Sequence, residues 1–282
     1  MAKVYLNGKI VPLENARISV LDRGFLYGDG VFESLRTYNR RPFLLEEHLK
    51  RLLFGAQQLK IKVQYSLSQL KSAVLKTVSA NDFKEHYIKI IISRGEAKGH
   101  GLDPSNSKGK PTVIVLCEEL KPYPSSLYEN GWQAIISKII RPQVPTSRIK
   151  SLCYVDNMLA RIEAKKKWAD EAFMLDEKGH VVEGTVSNIF IVRNNVIITP
   201  PVAEPILQGI TRALVLKLAK RAGIRVAEKV IYPEDILTAN ECFATMSGAG
   251  IVPVTYLGKK KIGDGKCGPI ARNLIHLYQN YR

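Results

Sequence analysis

Two residues in this chain have surroundings suited to carbanion chemistry, Lys150 and Glu183. Lys150 follows the proline-spaced segment RPQVPTSRI and stands where an extended run meets the next helix. Taken alone it reads as a surface lysine, the usual place for that residue. Desolvated, the same amine has a lowered pKa and can form a Schiff base with pyridoxal phosphate. Glu183 lies in VVEGTVSNIFIV, between a pair of valines and the Gly184-Thr185 turn. One reading is an exposed acid at a strand end. The other is a carboxylate that keeps the cofactor's pyridine nitrogen protonated, so that the ring accepts electrons from a substrate carbanion.

A phosphorylated cofactor also needs anion donors, and three segments offer them. Gly209-Ile210-Thr211 opens a helix, whose first amides and dipole favour an anion. Ser247-Gly248 lies in the small-residue turn TMSGAG, where backbone amides can approach a phosphate closely. Arg51 follows His48 by one helical turn and supplies a charge-assisted donor. Each has an ordinary counterpart: a plain N-cap, a β-turn, a solvated arginine.

The elements that must position these residues follow from periodicity and punctuation. VYLNGKIVP reads as a hairpin turning at Asn7-Gly8, and VFESLRTYNRRPFLL as a second turning near Asn39. LDRGFLYGDG between them reads as glycine-punctuated loop. Residues 45–59 carry Leu49, Leu52, Leu53 and Ala56 at helical spacing, and residues 65–80 give another helix. YIKIIIS and PTVIVLCE are strands flanking the loop RGEAKGHGLDPSNSKGK. In the second half a strand over 132–140 precedes a helix over 156–168 and two strand pairs, EAFMLDEKGHVVEG and SNIFIVRNNVIITP. A helix then runs from Gly209 to Arg221, with Gly223 as its stop. CFATMSGAGIVPV, a strand pair around Gly258 and a terminal helix complete the chain. The fold class is α+β (mixed α/β), with a small domain over 1–117, a proline-containing linker over 118–127 and a larger domain over 128–282.

With 282 residues, 45% of them hydrophobic, the chain can bury a sizeable core. Its four cysteines form no CxxC pair, which points to neither disulfides nor a metal site and makes a reducing cytoplasm the expected setting. The N-terminus MAKVYLNGKIVPLEN lacks an apolar signal core, and no apolar run reaches the roughly 20 residues of a membrane span. The net charge of +16 admits a nucleic-acid binder as a second class of function. The basic residues are spread along the chain, however, and such a field equally draws in a phosphorylated cofactor or dicarboxylate substrates. No specific nucleic acid and no membrane is therefore expected as a partner.

Six ordered blocks, LDRGFLYGDGVFESLR, EEHLKRL, RIKSLCYVDNMLARIEA, DEAFMLDEKGHVVEGTVSNIFIV, ILQGITR and IGDGKCGPI, resemble the class IV (fold type IV) pyridoxal-phosphate-dependent aminotransferases. That group holds branched-chain aminotransferases, D-amino-acid transaminases and aminodeoxychorismate lyases. The resemblance implies Lys150 as the lysine that carries the cofactor and Glu183 as the partner of its ring nitrogen. It implies Arg51, Ile210, Thr211, Ser247 and Gly248 as phosphate ligands, Tyr154 as partner of the phenolic oxygen and Leu207 beneath the ring. It also implies a homodimer. Cys153 departs from the family's usual asparagine, and Met246-Ser247-Gly248 is a variant of the usual Gly-Thr or Thr-Thr turn.

For the substrate, Tyr27, Phe32 and Arg36 resemble pocket positions of the branched-chain enzymes. Tyr87-Ile88-Lys89-Ile90 stands where those enzymes carry YxRP. Lys98 and His100 lie close to where D-amino-acid enzymes place a basic pair for the substrate carboxylate, although a solvated loop is the plain alternative. The reading favoured is transfer between a branched-chain L-amino acid and a 2-oxo acid such as 2-oxoglutarate. D-amino-acid transamination and aminodeoxychorismate lysis are the alternatives.

Overall fold

The protein is described by a computed structural model covering residues 2–282, which divides into two compact units. The first comprises residues up to Lys121 together with the short return segment Ile149–Cys153, and the second comprises Pro122–Arg148 and Tyr154–Arg282.

In the first unit the elements are β1 (Lys3–Leu6), β2 (Lys9–Pro12), α1 (Arg23–Tyr27), β3 (Gly30–Tyr38), β4 (Arg41–Pro42), α2 (Leu45–Gln58), α3 (Leu67–Ala80), β5 (His86–Ser93) and β6 (Thr112–Glu119). The strands form one sheet in the order β2-β1-β6-β5-β3-β4. Both hairpins turn as expected, at Asn7-Gly8 and Asn39-Arg40, with all four residues at positive φ. That geometry matches the right-handed twist of the strands they join. α3 starts with a capping box between Ser66 and Gln69. Leu49, Leu52 and Ala56 of α2 bury their face against Val31 and Leu35 of β3 and Ile88 and Ile90 of β5, in one core cluster.

The segment read as a glycine loop contains the short helix α1. Asp22 caps it, its carboxylate accepting the Gly24 amide at 2.7 Å, and Gly28 closes it in the left-handed conformation at φ 66°. Five residues are too few for helical periodicity to register. Within residues 118–127, β6 extends through Glu119 and a helix begins at Ser125.

In the second unit the elements are α4 (Ser125–Asn130), β7 (Trp132–Ile140), α5 (Val155–Lys166), β8 (Glu171–Leu175), β9 (Val181–Gly184), β10 (Asn188–Arg193), β11 (Val196–Thr199), α6 (Ile210–Arg221), β12 (Arg225–Glu228), α7 (Pro233–Leu237), β13 (Glu241–Met246), β14 (Gly250–Leu257), β15 (Lys260–Lys261) and α8 (Pro269–Tyr281). The sheet runs β12-β11-β10-β13-β14-β7-β8-β9, with β15 paired to β14. Its strands are mostly continuous apolar runs; all six residues of β13 except Met246 are buried, and Phe190 and Phe243 stack at 4.9 Å. Sheets covered on both faces have this pattern.

The return segment Ile149–Cys153 belongs to the first unit, where it pairs with an edge of β3. β4 covers only Thr37 and Tyr38. At the other end the Phe32 amide donates to the Lys150 carbonyl and the Leu152 amide to the Gly30 carbonyl, both at 2.9 Å. Ile149 joins the core under β3.

Candidate active site

The strand-like pairing to β3 holds the main chain of Lys150 and leaves its side chain half-buried, with Nζ 4.3 Å from the centre of the Phe32 ring. Lys89, on the neighbouring strand β5, brings its own Nζ to 5.0 Å from the same ring. Residues two apart share a face of a strand, so Phe32 and Arg36 of β3 stand on one face, with Tyr87 opposite Arg36 in register. The Arg36 Nε donates to the Thr37 carbonyl, and its guanidinium lies 4.2 Å from the Tyr38 ring.

The alternate residues of β3 face inward, and among them is Glu33, a residue the sequence reading did not single out. Arg51 donates to it from Nε at 2.6 Å and Nη2 at 2.8 Å, and Nδ1 of His48 meets its Oε2 at 2.7 Å. Burial alone would raise the Glu33 pKa, but the Arg51 ion pair and the His48 contact hold it down at about 2. Burial lowers the His48 pKa against the pull of Glu33. Arg51 is thus an oriented cation, two of its five N–H groups being directed by Glu33.

Lys98 and His100 are exposed, and their loop is held by its backbone. The buried Arg23 guanidinium donates to three successive carbonyls, from Nη1 to Gly101 at 3.2 Å and Asp103 at 3.3 Å, and from Nη2 to Leu102 at 2.8 Å. Its Nε donates to Asp29, which also accepts from Arg94. Tyr27 takes part, its hydroxyl accepting the Gly101 amide at 3.3 Å. Cys153 settles on the end of α1, its Sγ 3.6 Å from the carbonyl oxygens of Tyr27 and Gly28.

In the second unit, Glu183 is buried in β9 opposite Met174. One carboxylate oxygen pairs with Arg141 Nε at 2.9 Å and the other accepts the Leu207 amide at 2.7 Å. Arg141, at the end of β7, also donates to the carbonyls of Pro205 and Ser147. Arg141 escaped the sequence reading because it lies some forty residues from its partner with no motif around it. Leu207, expected beneath a ring, is linked here to Glu183 through its amide.

Gly209 is the N-cap of α6 and offers no side-chain cap to the first amides, those of Ile210 and the buried Thr211. Ser247 and Gly248 lie in the turn between β13 and β14, shortly after Thr245, whose buried hydroxyl has no hydrogen-bond partner among the described residues. Tyr154 is the N-cap residue of α5. Asp176, His180 and Glu204 also cluster; Asp176 holds His180 Nδ1 at 2.9 Å and accepts the Lys178 and His180 amides, closing the β8–β9 turn.

Residues 30–257 match the family model for amino-transferase class IV. The chain is 42% identical over 282 residues to a putative branched-chain-amino-acid aminotransferase of Methanocaldococcus jannaschii, covering 99% of this chain and 96% of that one. It is 33% identical over 283 residues to a D-alanine aminotransferase of Bacillus licheniformis, with the same coverage. Among solved structures it is similar to the branched-chain aminotransferase of Escherichia coli, with TM-score 0.93 and 30% identity over 99% of this chain and 94% of that one. The PLP-form enzyme of Thermobaculum terrenum gives TM-score 0.88 and 28% identity, covering 99% and 93%. The chain belongs to the class IV aminotransferases. It is a pyridoxal-phosphate-dependent enzyme of fold type IV.

The residues present fit that cofactor. A lysine on a fixed main chain, a buried carboxylate, a helix opening without a side-chain cap and a buried hydroxyl awaiting a partner are the donors and acceptors it calls for.

Proposed function

We propose that this enzyme moves an amino group between a branched-chain L-amino acid and a 2-oxo acid such as 2-oxoglutarate. The observation that carries the reading is the aromatic surface at the amine: Phe32 lies 4.3 Å from Nζ of Lys150, suited to an apolar side chain. Lys89 beside the same ring gives a cation for the second carboxylate of a dicarboxylic acceptor.

When bound, pyridoxal phosphate supplies the electron sink for the broken Cα–H bond. Lys150 holds the cofactor and, once displaced by substrate, its Nζ takes the Cα proton as base and returns one as acid. The Glu183 carboxylate, steadied by Arg141 and the Leu207 amide, keeps a proton on the ring nitrogen. Arg51, the Ile210 and Thr211 amides, and Ser247 with Gly248 would hold the phosphate, and Tyr154 would serve the phenolic oxygen. Arg36 and Tyr27 complete the substrate pocket with Tyr87.

The enzyme acts as a homodimer in the cytoplasm. The dimer is supported by α5, where Val155, Met158, Leu159 and Ile162 form an exposed apolar stripe. Cytoplasmic residence is supported by four unpaired cysteines. Among the described residues no helix is long and apolar enough to cross a membrane.

The test is a half-reaction screen followed through the cofactor spectrum. L-leucine, L-isoleucine and L-valine should convert it, and Lys98→Ala with His100→Ala should change little. Conversion by D-alanine or D-glutamate alone, with KM raised about ten- to a hundredfold by the double variant, would favour the exposed loop as the carboxylate site and the D-transaminase reading. Pyruvate released from aminodeoxychorismate without amino transfer would select the lyase.

A further inference from the structure

Glu171 opens β8 and is wholly buried, yet among the described residues every donor to its carboxylate is neutral. Oε1 accepts the Ala172 amide at 2.9 Å, the Thr185 amide at 3.0 Å and the Thr185 hydroxyl at 2.5 Å. Oε2 accepts the Ser187 hydroxyl at 2.7 Å. Three of these donors belong to the turn that directly follows Glu183. The turn wraps the carboxylate so closely that a Cβ on Gly184 would lie 2.8 Å from Glu171 Cδ and closer still to the Ser187 hydroxyl. Only glycine fits there.

A wholly buried carboxyl group met only by neutral donors is a costly way to close a turn. Its position explains its use. The Gly184 amide donates to Ser187, sealing the turn at 2.7 Å. The Thr185 carbonyl accepts Nδ2 of Asn157 at 2.8 Å, and Asn157 meets Nη1 of Arg141 at 3.5 Å. Arg141 in turn pairs with Glu183. A circuit therefore runs from Glu171 through the turn, Asn157 and Arg141 back to the Glu183 carboxylate.

We propose that Glu171 is the positioning residue for Glu183, holding the Gly184–Ser187 turn so that the Glu183 carboxylate stays aimed at the cofactor's ring nitrogen. The inference rests on the reading of Glu183 given above. It touches neither substrate nor cofactor; it acts through the turn.

The experiment loads the enzyme with ring-15N pyridoxal phosphate and reads the nitrogen resonance, alongside kcat, KM and thermal melting. Glu183→Gln is the control and should move the resonance to the deprotonated position. Glu171→Ala should move it the same way in part, with kcat about ten- to a hundredfold lower and KM nearly unchanged. Glu171→Gln should recover most of both, because its carbonyl can keep the Thr185 donors while its amide donates to Ser187. Thr185→Val, which deletes one donor at constant shape, should give a smaller shift of the same sign and decides the matter if Glu171→Ala does not fold. A lower melting point in Glu171→Ala or Thr185→Val with wild-type resonance and kcat would make Glu171 structural only. Equal losses in Glu171→Gln and Glu171→Ala would overturn positioning by hydrogen bonds. An unmoved resonance in Glu183→Gln would instead remove the reading of Glu183 itself.

Discussion

Lys150 and Glu33 owe their state to opposite surroundings. Lys150 is gripped through its main chain, so the amine can change partners without cost to the fold. Lys150→Ala should therefore fold normally and lose the absorbance of lysine-bound cofactor, and borotritide reduction of the wild type should label Lys150. A different labelled lysine would end the assignment. Glu33 is gripped through its charge. Its folded pKa of about 2 lies below the ordinary value of 4.5. Such a carboxylate adds stability that is fully present above the ordinary value and lost as pH falls through the folded one. Glu33→Gln, which removes the carboxylate charge from the Arg51 ion pair, should cost about 3–5 kcal/mol at neutral pH, and the deficit should shrink below pH about 4.5 in urea titrations. A pH-independent deficit would show that shape rather than charge is at stake. Sequence named Lys150 and Glu183 through their motifs and passed over Glu33, although V31-x-E33-x-L35 on one strand face marks an acid pointing into the core. Arg141 and Glu171 gave no such signal, because their meaning lies in partners far along the chain.

At the scale of elements, the ends of α1 show what periodicity cannot. Gly28 has φ 66°, and a Cβ there would come within 2.5 Å of the Cys153 sulfur. Gly28→Ala should cost about 1–3 kcal/mol, seen as a lower melting temperature. Adding Cys153→Gly should restore part of that loss, leaving the conformational share; strict additivity would mean that the sulfur yields freely. The long helices, the hairpins at Asn7-Gly8 and Asn39, and the strands were legible because each repeats a simple pattern over many residues. The pairing of Ile149–Cys153 with β3 was not, since five residues of mixed character state no partner, and only an open strand edge supplies one.

For the whole molecule, the exposed stripe on α5 calls for a cover. Val155, Met158, Leu159 and Ile162 follow i, i+3, i+4, i+7 spacing, each 46–58% exposed in the single chain. Met158→Glu with Ile162→Glu should convert a dimer to a monomer in sedimentation equilibrium without unfolding it. A wild type that sediments as a monomer would remove the proposal. The charge of +16 is the other global property, and it suits a protein whose cofactor and acceptor substrates are anions.

The Arg23 clamp has an evolutionary corollary. An anchor that grips three consecutive main-chain oxygens is blind to the side chains the loop displays. Leu102, in the middle of the grip, offers only its carbonyl, and the residue is 75% exposed. Selection, or a mutagenesis library, can thus rewrite Lys98, His100 and Leu102 by single steps through folded intermediates while the loop keeps its shape.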